Sequence, residues 1–173
     1  MDTTGWLQTL AEVAVAMAGF SAVITAFSPG GRRIDPMMAN RLYSIVSLSL
    51  LVAFLSIVPT LGEGLGLEPV AALRTAAAIG LAMQLRIFVT MRRGYRSIPG
   101  YSSMVSMTGV YFAYAFMVIT GLSGAACLFD LFEGRGSAFF LIMQTSMLAT
   151  AGTRLWGLTS VLASRHAVDG QAE

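Results

Sequence analysis

The sequence predicts an all-α polytopic membrane bundle of five transmembrane helices, with its amino terminus outside and its carboxyl terminus inside. Three observations carry this expectation. Of 173 residues, 55% are hydrophobic and only 12% charged, where a soluble domain carries about 25% charged residues; mean hydropathy is +0.71. Five stretches reach the length of roughly 20 apolar residues that a bilayer crossing needs. The loops between them alternate in charge, as the positive-inside rule requires.

The elements follow in chain order. The first span covers residues 6–27 and is interrupted only by Gln8 and Glu12. Ser28-Pro29-Gly30-Gly31 ends it, and Asp35-Pro36 precedes the second. The second, 42–61, contains serines and a late Pro59 as its only irregularities. The glycine-rich run from Gly62 to Gly66 reads as a turn, with Glu68-Pro69 opening the third span at 70–91. Proline suits a first helical position, where its missing N–H would have had no partner. The third span is weakened by Arg74, Gln84 and Arg86. Pro99-Gly100 and Gly134-Arg135-Gly136 break the chain before the fourth span, 104–129, and the fifth, 137–163. A four-span alternative lays the first or third segment along the interface. Residues 1–164 thus form one integral-membrane domain, and 165–173 a short cytoplasmic tail.

Loop charges orient the chain. The first loop holds Arg32, Arg33 and Arg41 against Asp35, and the third holds Arg92, Arg93 and Arg96 with no acid. The second carries Glu63 and Glu68, and the fourth Asp130 and Glu133 against Arg135. The first segment lacks the basic lead of a secretory signal and reads as a retained span. The expected location is the inner (plasma) membrane of a bacterial cell.

Composition excludes several functions. All eleven basic residues are arginine, so a lysine Schiff base is ruled out. One cysteine and one histidine give neither an internal disulfide nor a zinc site. A net charge of +2 does not suggest nucleic-acid binding. Eleven methionines raise Cu(I) as a thought, with Met104 and Met107, and Met143 and Met147, sharing helix faces. Methionine also fills irregular gaps between helices, and neither metal nor cofactor is predicted. Intramembrane proteolysis wants a histidine or two carboxylates within the spans; His166 lies in the tail and Glu12 stands alone. The expectation is a protein that is not an enzyme.

The candidate functional residues are the polar groups inside spans, since each ionisable one costs about 2.5–3.5 kcal/mol on insertion scales. Glu12 sits about 10 Å into the first span at 1.5 Å per residue. It reads as a cation or proton site, or as an interhelical pin to Arg74 or a serine. Arg86 and Arg154 lie about 25 Å from the outer ends of their spans. They read as an anion site, for lipid phosphate or a small permeating anion, or as arginines snorkelling to the inner headgroups. Gln84 stands beside Arg86 as a cross-helix hydrogen-bonding group.

In the fifth span Ser146, Thr150, Thr153, Gly157, Ser160 and Ser164 follow alternating spacings of four and three, and so share one stripe. The stripe reads as close helix packing or as the lining of a water-filled path. Two function classes remain. One is an oligomeric pore or small-solute or ion transporter. The other is a non-catalytic structural or regulatory subunit that packs with partners and binds anionic lipid. Expected partners are the bilayer and a second copy or another membrane protein.

Overall fold

The computed structural model describes residues 3–26, 36–96 and 107–169, with side chains described for 5–24, 36–94 and 111–159. Among these residues the chain is all-helical: α1 (Thr3–Ala26), α2 (Pro36–Gly64), α3 (Pro69–Arg96), α4 (Met107–Phe129) and α5 (Gly136–Asp169). No strand occurs among them.

Four helical segments are long and apolar enough to cross a membrane: Gly5–Ile24, Pro36–Gly64, Pro69–Gly94 and Tyr111–Phe129. The helix outside this set is α5, not the first or third segment that the four-span alternative set aside. Burial explains the difference. α5 packs against all four other helices, so its surface meets protein and carries Gln144, Ser146, Thr150 and Thr153 without exposing most of them to lipid. α3 keeps its place despite Arg74, Gln84 and Arg86.

α2 is the second hub, packed on α1, α3 and α5, while α3 and α4 pack on each other. One core cluster joins Leu51, Val52 and Leu55 of α2 to Ala76 and Ala77 of α3 and to Phe140, Met143 and Met147 of α5. A second joins Leu42, Ile45 and Leu48 of α2 to Ala151 and Leu158 of α5. Glycines admit the neighbours: a Cβ at Gly80 would lie 3.0 Å from Met143 Cε, and one at Gly124 would lie 2.9 Å from Met143 Sδ. Met143 thus fills the gap between α3 and α4, the irregular-gap role that suits a flexible thioether.

The connection from α2 to α3 is shorter than the sequence suggests. Gly62, Glu63 and Gly64 continue the helix instead of turning. Gly66, at φ 85°, is the left-handed residue that ends it: Gly66 N–H donates to Glu63 O at 2.9 Å and Leu67 N–H to Gly62 O at 3.0 Å. This pair of bonds is a Schellman cap, which a residue without a Cβ enters most easily. α4 ends in a related way, with Leu131 N–H donating to Ala126 O at 3.2 Å and Asp130 at φ 50°. Arg41, Arg92, Arg93 and Arg96, read from sequence as loop residues, also lie within helices.

Candidate functional site

The deepest polar group is Gln144, completely buried on α5. It lies eight residues from the start of its helix, and Ser56 eight from the end of α2, about 12 Å each at 1.5 Å per residue. Ser56 Oγ lies 2.9 Å from Gln144 Oε1 and 2.9 Å from Val52 O. A hydroxyl has one proton and cannot donate to both acceptors. Exchanging the carboxamide's oxygen and nitrogen resolves this: the amide donates to Ser56, and Ser56 donates to Val52 O. In either orientation the other end of the amide is buried without a hydrogen-bond partner. Ser49 Oγ, two turns away on α2, is likewise buried and unpartnered. The bundle interior therefore holds a polar locus whose hydrogen-bonding capacity the described protein atoms do not exhaust.

The hydroxyl stripe of α5 turns inward. Ser146 and Thr150 are buried, and Thr153 and Gly157 half-buried. Thr150 Oγ1 donates to Ser146 O at 2.9 Å, and Thr153 Oγ1 to Thr150 O at 2.9 Å. On α4, which packs against α5, Thr120 and Ser123 are buried and donate to Phe116 O at 2.8 Å and Ile119 O at 2.7 Å. The hydroxyls of Thr150, Thr153, Thr120 and Ser123 bond to their own helices, so they act as small packing groups. Thr120 and Ser123 escaped the sequence reading, although their spacing of three was visible. The side chains of Ser160 and Ser164 lie outside the described residues.

The sequence-selected charges occupy separate places. Glu12 does not meet Arg74. It is exposed on α1 and accepts from Gln8 Nε2 at 3.0 Å. Arg74 pairs with Asp130, Nη2 to Oδ2 at 3.0 Å, linking the start of α3 to the end of α4. Asp130 thus shapes the α4 terminus and holds the α3 cation. Gln84 is buried on α3. Arg154 is half-buried on α5, whereas Arg86 is exposed on α3. Exposed Ala82, Arg86, Thr90 and Arg93 follow spacings of four, four and three, which puts the two arginines on one outward face.

Two bonds gather one end of the bundle. Arg41 Nη1 donates to Gly157 O at 2.8 Å, and Asn40 Nδ2 to Met91 O at 3.4 Å. This brings the start of α2, the end of α3 and the second half of α5 together. Arg41, Arg86, Arg92, Arg93 and Arg154 lie towards this end; Glu63, Glu68, Asp130 and Glu133 lie at the other, with Arg74 and Arg135. Comparison with family models, curated proteins and solved structures finds no match to the chain.

Four of the helices have the length and apolar composition of membrane spans, compatible with a small membrane protein. Asp130 provides a direct check on the acidic end. Asp130→Ala removes both the ion pair and a residue type that tolerates left-handed backbone. A loss of about 1–2 kcal/mol is expected, read as a lowered Tm in detergent. Asp130→Asn keeps the backbone tolerance and is expected to lose about half as much.

Proposed function

We propose that this is a five-span, N-out, multi-pass protein of a bacterial inner (plasma) membrane, and that it serves as a non-catalytic structural or regulatory subunit. Its basic end faces the cytoplasm and holds anionic lipid. The observation that carries this reading is the outward row of Arg86, Thr90 and Arg93 on α3. An exposed arginine near the end of a span lays its methylenes along lipid and its guanidinium among headgroups. The planar guanidinium donates to phosphate oxygens in a bidentate fork. Arg92 adds charge at the same level. α5, whose most apolar stretch is less apolar than those of the other helices, crosses as the fifth span because the other four helices cover it.

Lipid retention tests this. Each arginine near an anionic surface contributes about 1 kcal/mol, so Arg86→Gln with Arg93→Gln loses about thirtyfold in affinity for phosphatidylglycerol or cardiolipin. Native mass spectrometry from nanodiscs of mixed composition reads this directly. Arg135→Gln, at the opposite end, leaves retention unchanged. Equal retention by the double variant and the parent overturns the lipid assignment.

A second reading, an oligomeric pore or small-solute transporter, draws on the buried, unpartnered Ser49 Oγ and Gln144 amide end. Polar groups of that kind could hold water inside the bundle. Cysteines at Thr150, Thr153 and Gly157 in a Cys127→Ala background separate the two readings. The subunit reading expects protection from a water-soluble thiol reagent at Thr150 and Thr153. Rapid labelling along the whole stripe favours the pore.

A further inference from the structure

We infer that the outward face of α1 is where two copies of this chain pair within the bilayer, with Gln8 and Glu12 at the contact. α1 turns Leu7, Ala14 and Ser21 inward, at spacings of seven. Its opposite face presents Gln8, Glu12, Ala16, Gly19 and Val23, all exposed, at spacings of four, four, three and four. That is one continuous stripe. It is polar where the bilayer is apolar: Glu12 stands seven residues past the first residue of its candidate span, about 10 Å in.

Lipid tails cannot complete this stripe. Gln8 Nε2 donates one hydrogen bond, to Glu12 Oε1 at 3.0 Å. Gln8 stands three residues past the first residue of the span, about 4.5 Å in and within reach of the interface, whereas Glu12 lies about 10 Å in, where hydrocarbon offers no donor to its second carboxyl oxygen. The occupant must therefore offer a donor at the depth of Glu12. A second copy does. Two chains inserted in the same orientation carry Gln8 and Glu12 at the same levels, and a two-fold axis along the membrane normal lets Gln8 of each chain reach Glu12 of the other. A carboxamide donates and accepts, so Gln8 is complementary to Gln8 of the second copy. The second N–H can equally reach Glu12 of that copy.

Sterics agree with this arrangement. A Cβ at Gly19 would meet nothing within 4 Å, and Ala16 adds little bulk, so a neighbouring helix can approach closely. The outward face of α4 differs: Phe112, Val118 and Leu122 are large, apolar and exposed, a surface that lipid tails cover without cost. The pairing stands apart from the lipid reading, which concerns α3.

Disulfide trapping in proteoliposomes tests it, since a disulfide needs Cα atoms roughly 4.4–6.8 Å apart. In a Cys127→Ala background, Ala16→Cys and Gly19→Cys are expected to give covalent dimers under mild oxidation at low protein-to-lipid ratio. Val118→Cys and Leu122→Cys, equally exposed to lipid, are expected to give none. Gln8→Leu with Glu12→Leu, followed by single-molecule photobleaching across a dilution series, is expected to raise the dimer dissociation constant about tenfold. A chain that stays monomeric throughout the series overturns the proposal. So do α4 cysteines that link as fast as those on α1, and a double variant that dimerises as tightly as the parent.

Discussion

Gly124→Val is expected to be the most damaging single change in the bundle core. A Cβ there would lie 2.7 Å from Leu81 Cδ2, 2.9 Å from Leu81 Cγ and 2.9 Å from Met143 Sδ. Real side chains do not approach so closely, and one of the crowding atoms is a branch point, not a free end. Valine adds two further methyls, so α4 must move away from α3 and α5. Overpacking of this kind costs about 1–3 kcal/mol, and the upper end applies because two helices are crowded at once. The lever is specific. Met143→Ala removes one of the two crowding side chains, so Gly124→Ala combined with Met143→Ala should lose less stability than the two single changes sum to. Additive losses would show that the crowding at Gly124 is relieved some other way. The readout is the unfolding midpoint in mixed micelles of mild detergent and sodium dodecyl sulfate.

The second large effect lies at the α2–α5 hydrogen bond. Ser56→Ala leaves the Gln144 amide buried with both ends unpartnered, and an unmade buried hydrogen bond costs about 1–3 kcal/mol. Double-mutant cycles in a membrane protein put such interhelical bonds at an average of about 0.6 kcal/mol, because the unfolded chain in a membrane also finds partners. The cost of Ser56→Ala should therefore fall near 1 kcal/mol. Replacing both groups together, Ser56→Ala with Gln144→Met, removes the polar burden and keeps much of the volume. That pair should be close to neutral, since exchanging both partners for apolar groups of similar shape loses little. A double variant less stable than Ser56→Ala alone would mean that Gln144 contributes through something other than this bond.

The five helices were legible because hydropathy and loop punctuation report one-dimensional facts. Gly66 and Gly134 mark real turns, with φ of 85° and 72°. Pro69 opens α3 as expected, and Pro36 opens α2 six residues before the start read from hydropathy. What the chain order does not encode is which side of each helix meets which neighbour. Glu12 and Arg74 lie at comparable depth, yet α1 packs on α2 and α5, away from α3. Arg74 instead meets Asp130, which hydropathy treats only as a loop charge. Met143 and Met147 were visible as a pair on one face; that both are completely buried depends on α5 standing at the centre. The same fact lets the most apolar stretch of α5 be less apolar than those of the other four helices. Its polar residues would be costly facing lipid and are inexpensive facing α2 and α4. Gln144 was visible as an interruption of the fifth span, but its bond to Ser56, 88 residues away, depends on the antiparallel register of two central helices.

If α5 crosses the bilayer at the core of the bundle, as proposed, the number of spans is odd. The most direct test is a pair of reporter fusions, one at each terminus, each active on one side of the membrane only. An amino terminus outside and a carboxyl terminus inside are expected. Both termini on the same side would contradict the crossing.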